Sequence, residues 1–193
     1  MKDTKTSKLS QITFQLFKAL ADLATTKQIS EIRIQTITDK AGIHRSTFYR
    51  YFEDKEDLIE RGTELFWDNI TFKLEKYRKN HSSRMSNNND TGYLPYFFNL
   101  LLGQRKILQS LMSPLGSSYF RMHTRSRLYM FIKEERLFSI ENIKFRDHIS
   151  AMICSSLLVT VEQLLIDADP KELLETYYIF ITQGLTGFYP YLS

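Results

Sequence analysis

Between Thr36 and Phe52 the chain gathers His44, Arg45, Ser46, Thr47, Tyr49 and Arg50, and its only acid there is Asp39. Arginine pairs bidentately with the major-groove edge of guanine. Serine and threonine reach base edges or phosphate oxygens, and a tyrosine hydroxyl suits a phosphate. The chemistry open to these side chains is recognition of a polar, anionic surface. Phe48 and Phe52, four residues apart, share one helical face and predict its inward side. Arg45, Ser46, Thr47, Tyr49 and Arg50 are then left facing outward.

Such side chains need a rigid mount, and the residues before them supply one. Ile34, Ile37 and Ala41 fall at i, i+3 and i+7, which predicts a short helix with one apolar stripe. Gly42 follows at once and suits the left-handed backbone that ends a helix sharply. Ile43 fills the angle before the second helix. Two short helices about a glycine turn is the arrangement that places a basic helix in the DNA major groove. The same arrangement also occurs in all-α proteins that never meet DNA, where a basic face is merely solvated. The generic pattern alone leaves both readings open.

The wording of the segment goes further. Ala41-Gly42-Ile43-x-Arg45-x-Thr47-Phe48-Tyr49-Arg50-Tyr51-Phe52-x-x-Lys55-x-x-Leu58-Ile59 closely resembles the signature of TetR-type transcriptional regulators. That signature runs Ala-Gly-Val-x-x-x-Thr-(Leu/Phe)-Tyr-x-(His/Tyr)-Phe-x-x-Lys-x-x-Leu-(Leu/Ile). The resemblance reaches upstream to Phe17, Ala19, Leu20, Leu23, Ala24 and Lys27, and to Ile29, Ile32 and Ile34, so it covers residues 9–60. It implies DNA contacts from Arg33, Gln35, Thr36, His44, Arg45, Ser46, Thr47, Tyr49, Arg50, Tyr51 and Lys55, with Lys55 on a phosphate. It also implies a homodimer through the last two helices, facing a palindromic operator. A small-molecule effector would release such a repressor; control by a protein partner, or activation in place of repression, are the alternatives. One departure stands out: where the family has Thr or Ser before the second helix, this chain has Arg33, and Ser30 is left to cap in its place.

Charge agrees with a DNA-reading N-terminus. Residues 1–52 hold nine Lys/Arg against four Asp/Glu, a net of +5, whereas the rest of the chain nets −1. Lys2, Lys5 and Lys8 read as an unstructured arm able to lie along a duplex, or equally as a solubilising tail. The acidic run Glu53-Asp54-Lys55-Glu56-Asp57 reads as a helix start, with Asp54 as N-cap and Asp57 completing a variant capping box. The single cysteine, Cys154, cannot form an internal disulfide and reads as a small buried hydrophobe in a reducing compartment. No apolar leader opens the chain, and the uncharged run from Thr176 to Ser193 is too short and polar for a membrane span. A cytoplasmic protein is the expectation.

The whole chain reads as all-α, with residues 1–53 as a three-helix DNA-binding domain and 54–193 as a larger helical effector-binding and dimerisation domain. Helices are expected over Leu58–Lys79, Tyr93–Met112, Ser118–Leu137, Ile149–Ile166 and Lys171–Tyr189, with a loop from Asn80 to Gly92. The stretches 149–166 and 171–189 are too apolar to be buried by one chain, so a four-helix homodimer interface is predicted there. Catalysis finds no support. His44, His81, His123 and His148 are scattered, no metal-ligand or phosphate-loop spacing occurs, and Glu134-Glu135 reads as a solvated face. No cofactor or metal is expected. Phe97, Phe98, Met112, Phe120, Met122, Met130 and Met152 are candidates to line a pocket, against the ordinary reading of plain core. Arg105, Arg121, His123, Arg125 and His148 are candidates to meet an anionic ligand, against that of a solvated face.

Overall fold

Ile12, Leu16, Leu20 and Ala24 recur every fourth residue, with Thr13 and Phe17 beside them, and this stripe is buried. Up to Leu20 it belongs to the first helix, α1 (Lys2–Leu23), and Ala24 follows directly, in a computed structural model that describes residues 2–85, 93–134 and 143–166, together with 172, 176, 177 and 179. The expected arm at Lys2, Lys5 and Lys8 is instead the opening of α1, since no glycine or proline interrupts helix in this stretch. A 3-10 turn (Ile29–Glu31) follows, then α2 (Ile34–Ala41) and α3 (Arg45–Tyr51). The long α4 (Lys55–Met85) leads to α5 (Tyr93–Leu102), α6 (Arg105–Met112), α7 (Ser118–Glu134) and α8 (Ile143–Ile166). Every regular element among the described residues is helical.

α1 packs on α2 and α4 and also on α6, so the N-terminal unit and the remainder share a core. The ring of Phe17 on α1 faces Phe120 on α7 at 6.1 Å, and Phe66 on α4 meets Phe120 edge-on at 5.5 Å. α4 can approach α1 this closely because Gly62 lies against the Phe17 ring. Asp54 accepts the Asp57 N–H at 2.8 Å, and the Asp57 carboxylate accepts the Glu53 N–H at 3.1 Å, which caps α4 as its acidic run predicts.

Three boundaries differ from the expected ones. The helix expected over 93–112 breaks at Gly103-Gln104, which leaves α5 and α6 as separate elements. α4 extends through Met85, so the front of the expected loop is helical, and 86–92 lie outside the described residues. α8 begins at Ile143, ahead of Ile149. Of the expected last helix, 171–189, only Glu172, Thr176, Tyr177 and Ile179 fall within the described residues. The buried Tyr177 hydroxyl donates to the Ile153 carbonyl at 3.2 Å and ties this segment to α8.

Among the pocket candidates, Phe97, Phe98, Met112 and Phe120 are buried in the core, whereas Met122, Met130 and Met152 are exposed. Cys154 is buried, with its thiol directed at the Arg125 carbonyl at 3.7 Å, and burial raises its pKa. Among the described residues no helix is long and apolar enough to cross a membrane.

Candidate nucleic-acid interface

The turn between α2 and α3 is locked by its backbone. Gly42 adopts φ 65° and ψ 30°, the left-handed conformation that a side chain would strain. Its N–H donates to the Asp39 carbonyl at 3.2 Å and that of Ile43 to the Thr38 carbonyl at 3.0 Å, the two bonds of a Schellman motif. Thr38 is fully buried, with its hydroxyl on the Gln35 carbonyl at 2.9 Å. The α2–α3 angle is therefore fixed before any ligand arrives.

His44 precedes α3 as its N-cap and is not part of the helix itself. Its Nδ1 accepts the Ser46 N–H at 3.3 Å and lies 2.8 Å from the Ser46 hydroxyl, so these two expected contact residues engage each other. The Nε2 face of the imidazole is left for an outside partner. Phe48 is fully buried, with Phe52 tilted against it at 5.3 Å, which anchors α3 from beneath. On the outer side Arg45, Ser46, Tyr49 and Arg50 are exposed and Thr47 is half-buried. The Arg45 guanidinium lies 5.5 Å from the centre of the Tyr49 ring and donates to the Tyr49 hydroxyl at 3.3 Å. Stacking of this kind restricts a flexible side chain while leaving its donors directed outward.

The flanking residues divide. Gln35 and Thr36 are exposed on the first turn of α2, and Gln35 donates to Asp39 at 2.6 Å. Arg33 is the α2 N-cap and is exposed, but its side chain caps nothing, and Ser30 lies within the 3-10 turn and does not cap in its place. Tyr51 is half-buried against the core and presents only part of its ring. Lys55 has a different occupation from the phosphate contact expected of it. Its ammonium donates to the carbonyls of Ile29 at 2.6 Å, Ile32 at 3.1 Å and Ser30 at 3.2 Å. Those three bonds match the three donors of an ammonium group.

A cleft of about 390 Å³ opens between α4, α5 and α7. Trp67, Ile70, Leu74, Tyr93, Phe97 and Phe131 form its apolar wall, with Glu75, Arg78 and Arg127 at its edge. Of the residues proposed from sequence, only Phe97 and Met130 line it. The Trp67 indole is fixed by a 3.3 Å bond to the Thr124 hydroxyl, and Tyr93 receives the Arg78 guanidinium at 3.3 Å. Burial pushes the Tyr93 phenol up to about 12, against a lowering by Arg78, so it stays a neutral hydroxyl. Nearby, Arg127 bridges Asp68 at 3.2 Å and His123 at 3.1 Å. Burial and then the Arg127 charge hold the His123 imidazole below its ordinary pKa. Arg121, another candidate for an anion, donates to the Ser113 carbonyl at 2.7 Å.

Comparison with known families matches residues 16–61 to the model described as bacterial regulatory proteins, tetR family. No curated protein matches the chain.

Proposed function

We propose that this chain, a DNA-binding transcriptional regulator of the tetR family by its N-terminal domain, acts as a homodimeric repressor that leaves a palindromic operator when a small molecule enters the cleft behind α4. The observation that carries DNA reading is α3 itself: a capped helix, anchored by Phe48, whose outer face holds Arg45, Ser46, Tyr49 and Arg50 and no acid. Arg45, Thr47 and Ser46 are assigned to base edges, and Tyr49, Arg50, Thr36 and Gln35 to the backbone.

Dimerisation is supported by α8. Ala151, Met152, Ser155 and Val159 are exposed, with Met152 at 70% and Val159 at 55%, and they lie on one stripe of α8 beyond its charged first turns. A helix uncovered on one apolar face is completed by its own copy across a two-fold axis. Two copies of α3 would then face successive major grooves, about 34 Å apart.

The cleft supports a small-molecule effector over a protein partner, which a solid core would have favoured. α4 contributes both its wall and, at Lys55, a contact with the DNA-reading unit. A ligand shifts the spacing of the α3 helices only by binding one spacing better. A ~100-fold release requires about 2.7 kcal/mol of such preference. The test is a screen of metabolites and dyes by Trp67 fluorescence and thermal shift, with operator titration for each hit. Compounds that enter the cleft are expected to weaken operator binding, and operator to weaken theirs by the same factor. If every cleft ligand leaves operator affinity unchanged, the induction model fails.

A further inference from the structure

The backbone of Ile29 is held from both sides. Its carbonyl accepts from Lys55 on the first turn of α4, and its N–H donates to the Leu115 carbonyl, in the α6–α7 connection, at 3.0 Å. That connection is fixed in turn: Gly116 N–H donates to Ser113 at 2.9 Å and Ser117 N–H to Leu111 at 3.0 Å. On the other side, Ile32 closes the 3-10 turn and α2 starts two residues later. No side chain caps α2 at Arg33, so its start takes its place from the turn before it. Beyond α2, the locked Gly42 turn passes that placement on to α3. Ile29 and Leu115 line one side of a cleft of about 360 Å³, together with Ser30, Glu56, Glu60, Ser117 and Tyr119.

From this geometry we infer that Lys55 is a positioning residue for DNA reading, not a phosphate contact, and that the backbone of Ile29, held at both its N–H and its carbonyl, is the joint between the reader and the body of the molecule. The ammonium converges on three carbonyls that come from one turn, 23 to 26 residues away in sequence. A guanidinium cannot replace it, because its planar fork aims its donors at two parallel acceptors and not at a cone of three. This separates the two roles of a lysine cleanly. A phosphate contact survives as arginine; a carbonyl clamp does not.

The inference rests on the DNA-reading role proposed above, and the experiment tells the two apart. Lys55→Arg and Lys55→Met are compared with wild type on a selected operator and on unrelated duplex, at temperatures where all three are folded. The joint predicts that both variants lose specific affinity by tenfold or more, keep nonspecific affinity within about twofold, and keep the slope of log K against log salt. A Lys55→Arg protein that matches wild type, beside a Lys55→Met protein whose slope is flatter by about one unit, would mean a phosphate contact and overturn the inference. An unchanged ratio of specific to nonspecific affinity in both folded variants would overturn it too, because it leaves Lys55 only a part in stability. Amide exchange gives a readout independent of DNA. The Ile29 N–H is expected to be protected in wild type and to exchange faster in both variants. If the variants do not fold, the wild-type lysine ammonium signals decide: that of Lys55 should exchange slowly and stay in place when duplex is added. A shift of that signal with duplex contradicts the joint, whereas wild type that binds no duplex at all removes the DNA-reading role instead.

Discussion

Replacing Gly62 by alanine sets two effects of opposite sign against each other. Gly62 lies within α4, where alanine gains up to about 1 kcal/mol of helix propensity over glycine. The added methyl, however, would stand 2.5 Å from Cγ and 2.8 Å from Cε2 of Phe17, against the ~3.5–4.0 Å of an ordinary carbon contact. Cγ is the ring carbon bonded to Cβ, so rotation about the end of the side chain does not clear it. Phe17 is fully buried and faces Phe120, so the ring must displace its neighbours or α1 must move from α4. Overpacking of this size costs ~1–3 kcal/mol, and an overlap of about 1 Å belongs in the upper half of that range. The steric term wins, for a net loss of ~1–2 kcal/mol. At ~2–4 °C per kcal/mol for a chain of this size, the melting temperature should fall by ~2–8 °C. Circular-dichroism melts of wild type, Gly62→Ala, Phe17→Leu and the double variant measure this. The double variant should be more stable than the sum of the two single losses predicts. A Gly62→Ala protein that melts higher than wild type would refute the α1–α4 packing described above.

The pH dependence of stability carries the second expectation. His123 has its folded pKa held below the ordinary 6.5, so the unfolded chain takes up a proton first as pH falls. Its contribution is present above pH ~6.5 and is lost below it, and His123→Gln should flatten that part of the stability curve. Denaturant titrations from pH 8 to 5 that run parallel for both proteins would contradict it. On α8, Met152→Glu or Val159→Glu should yield a folded monomer with weakened operator binding, because these side chains are exposed and lie outside the chain's own core. Light scattering that finds both variants as dimers, or wild type as a monomer at micromolar concentration, would remove α8 from the interface.

The sequence spoke most clearly where the physics is local. The Ile34–Ile37–Ala41 stripe, Gly42 and the Phe48–Phe52 pair each act within a few residues, and α2, the left-handed turn and the anchor of α3 follow from them. Asp54 and Asp57 announced the start of α4 for the same reason. Long-range or backbone features were not legible. Nothing in the side chain of Leu115 marks its carbonyl as the partner of Ile29, and nothing in the spacing of Lys55 shows that three carbonyls surround it. The break at Gly103-Gln104 was hidden because α5 and α6 are both apolar on the side they bury, which reads as one continuous period. Most of the cleft wall beyond Phe97 and Met130 was missed for a related reason. Aromatic residues at helical spacing look alike whether they close a core, as Phe98 and Phe120 do, or line a wall, as Trp67 and Phe131 do.

Selection from a random duplex pool shows whether the outer face of α3 reads DNA. Wild type should enrich a palindrome whose half-sites are separated by about one helical turn. Arg45→Ala or Thr47→Ala should enrich the same palindrome with base preference relaxed at one position per half-site, by ~1–3 kcal/mol for a good base contact. Tyr49→Phe should keep the sequence and weaken binding to all duplexes alike. A pool that wild type leaves unenriched, or one in which all the variants recover the wild-type sequence at wild-type strength, would mean that α3 does not read DNA.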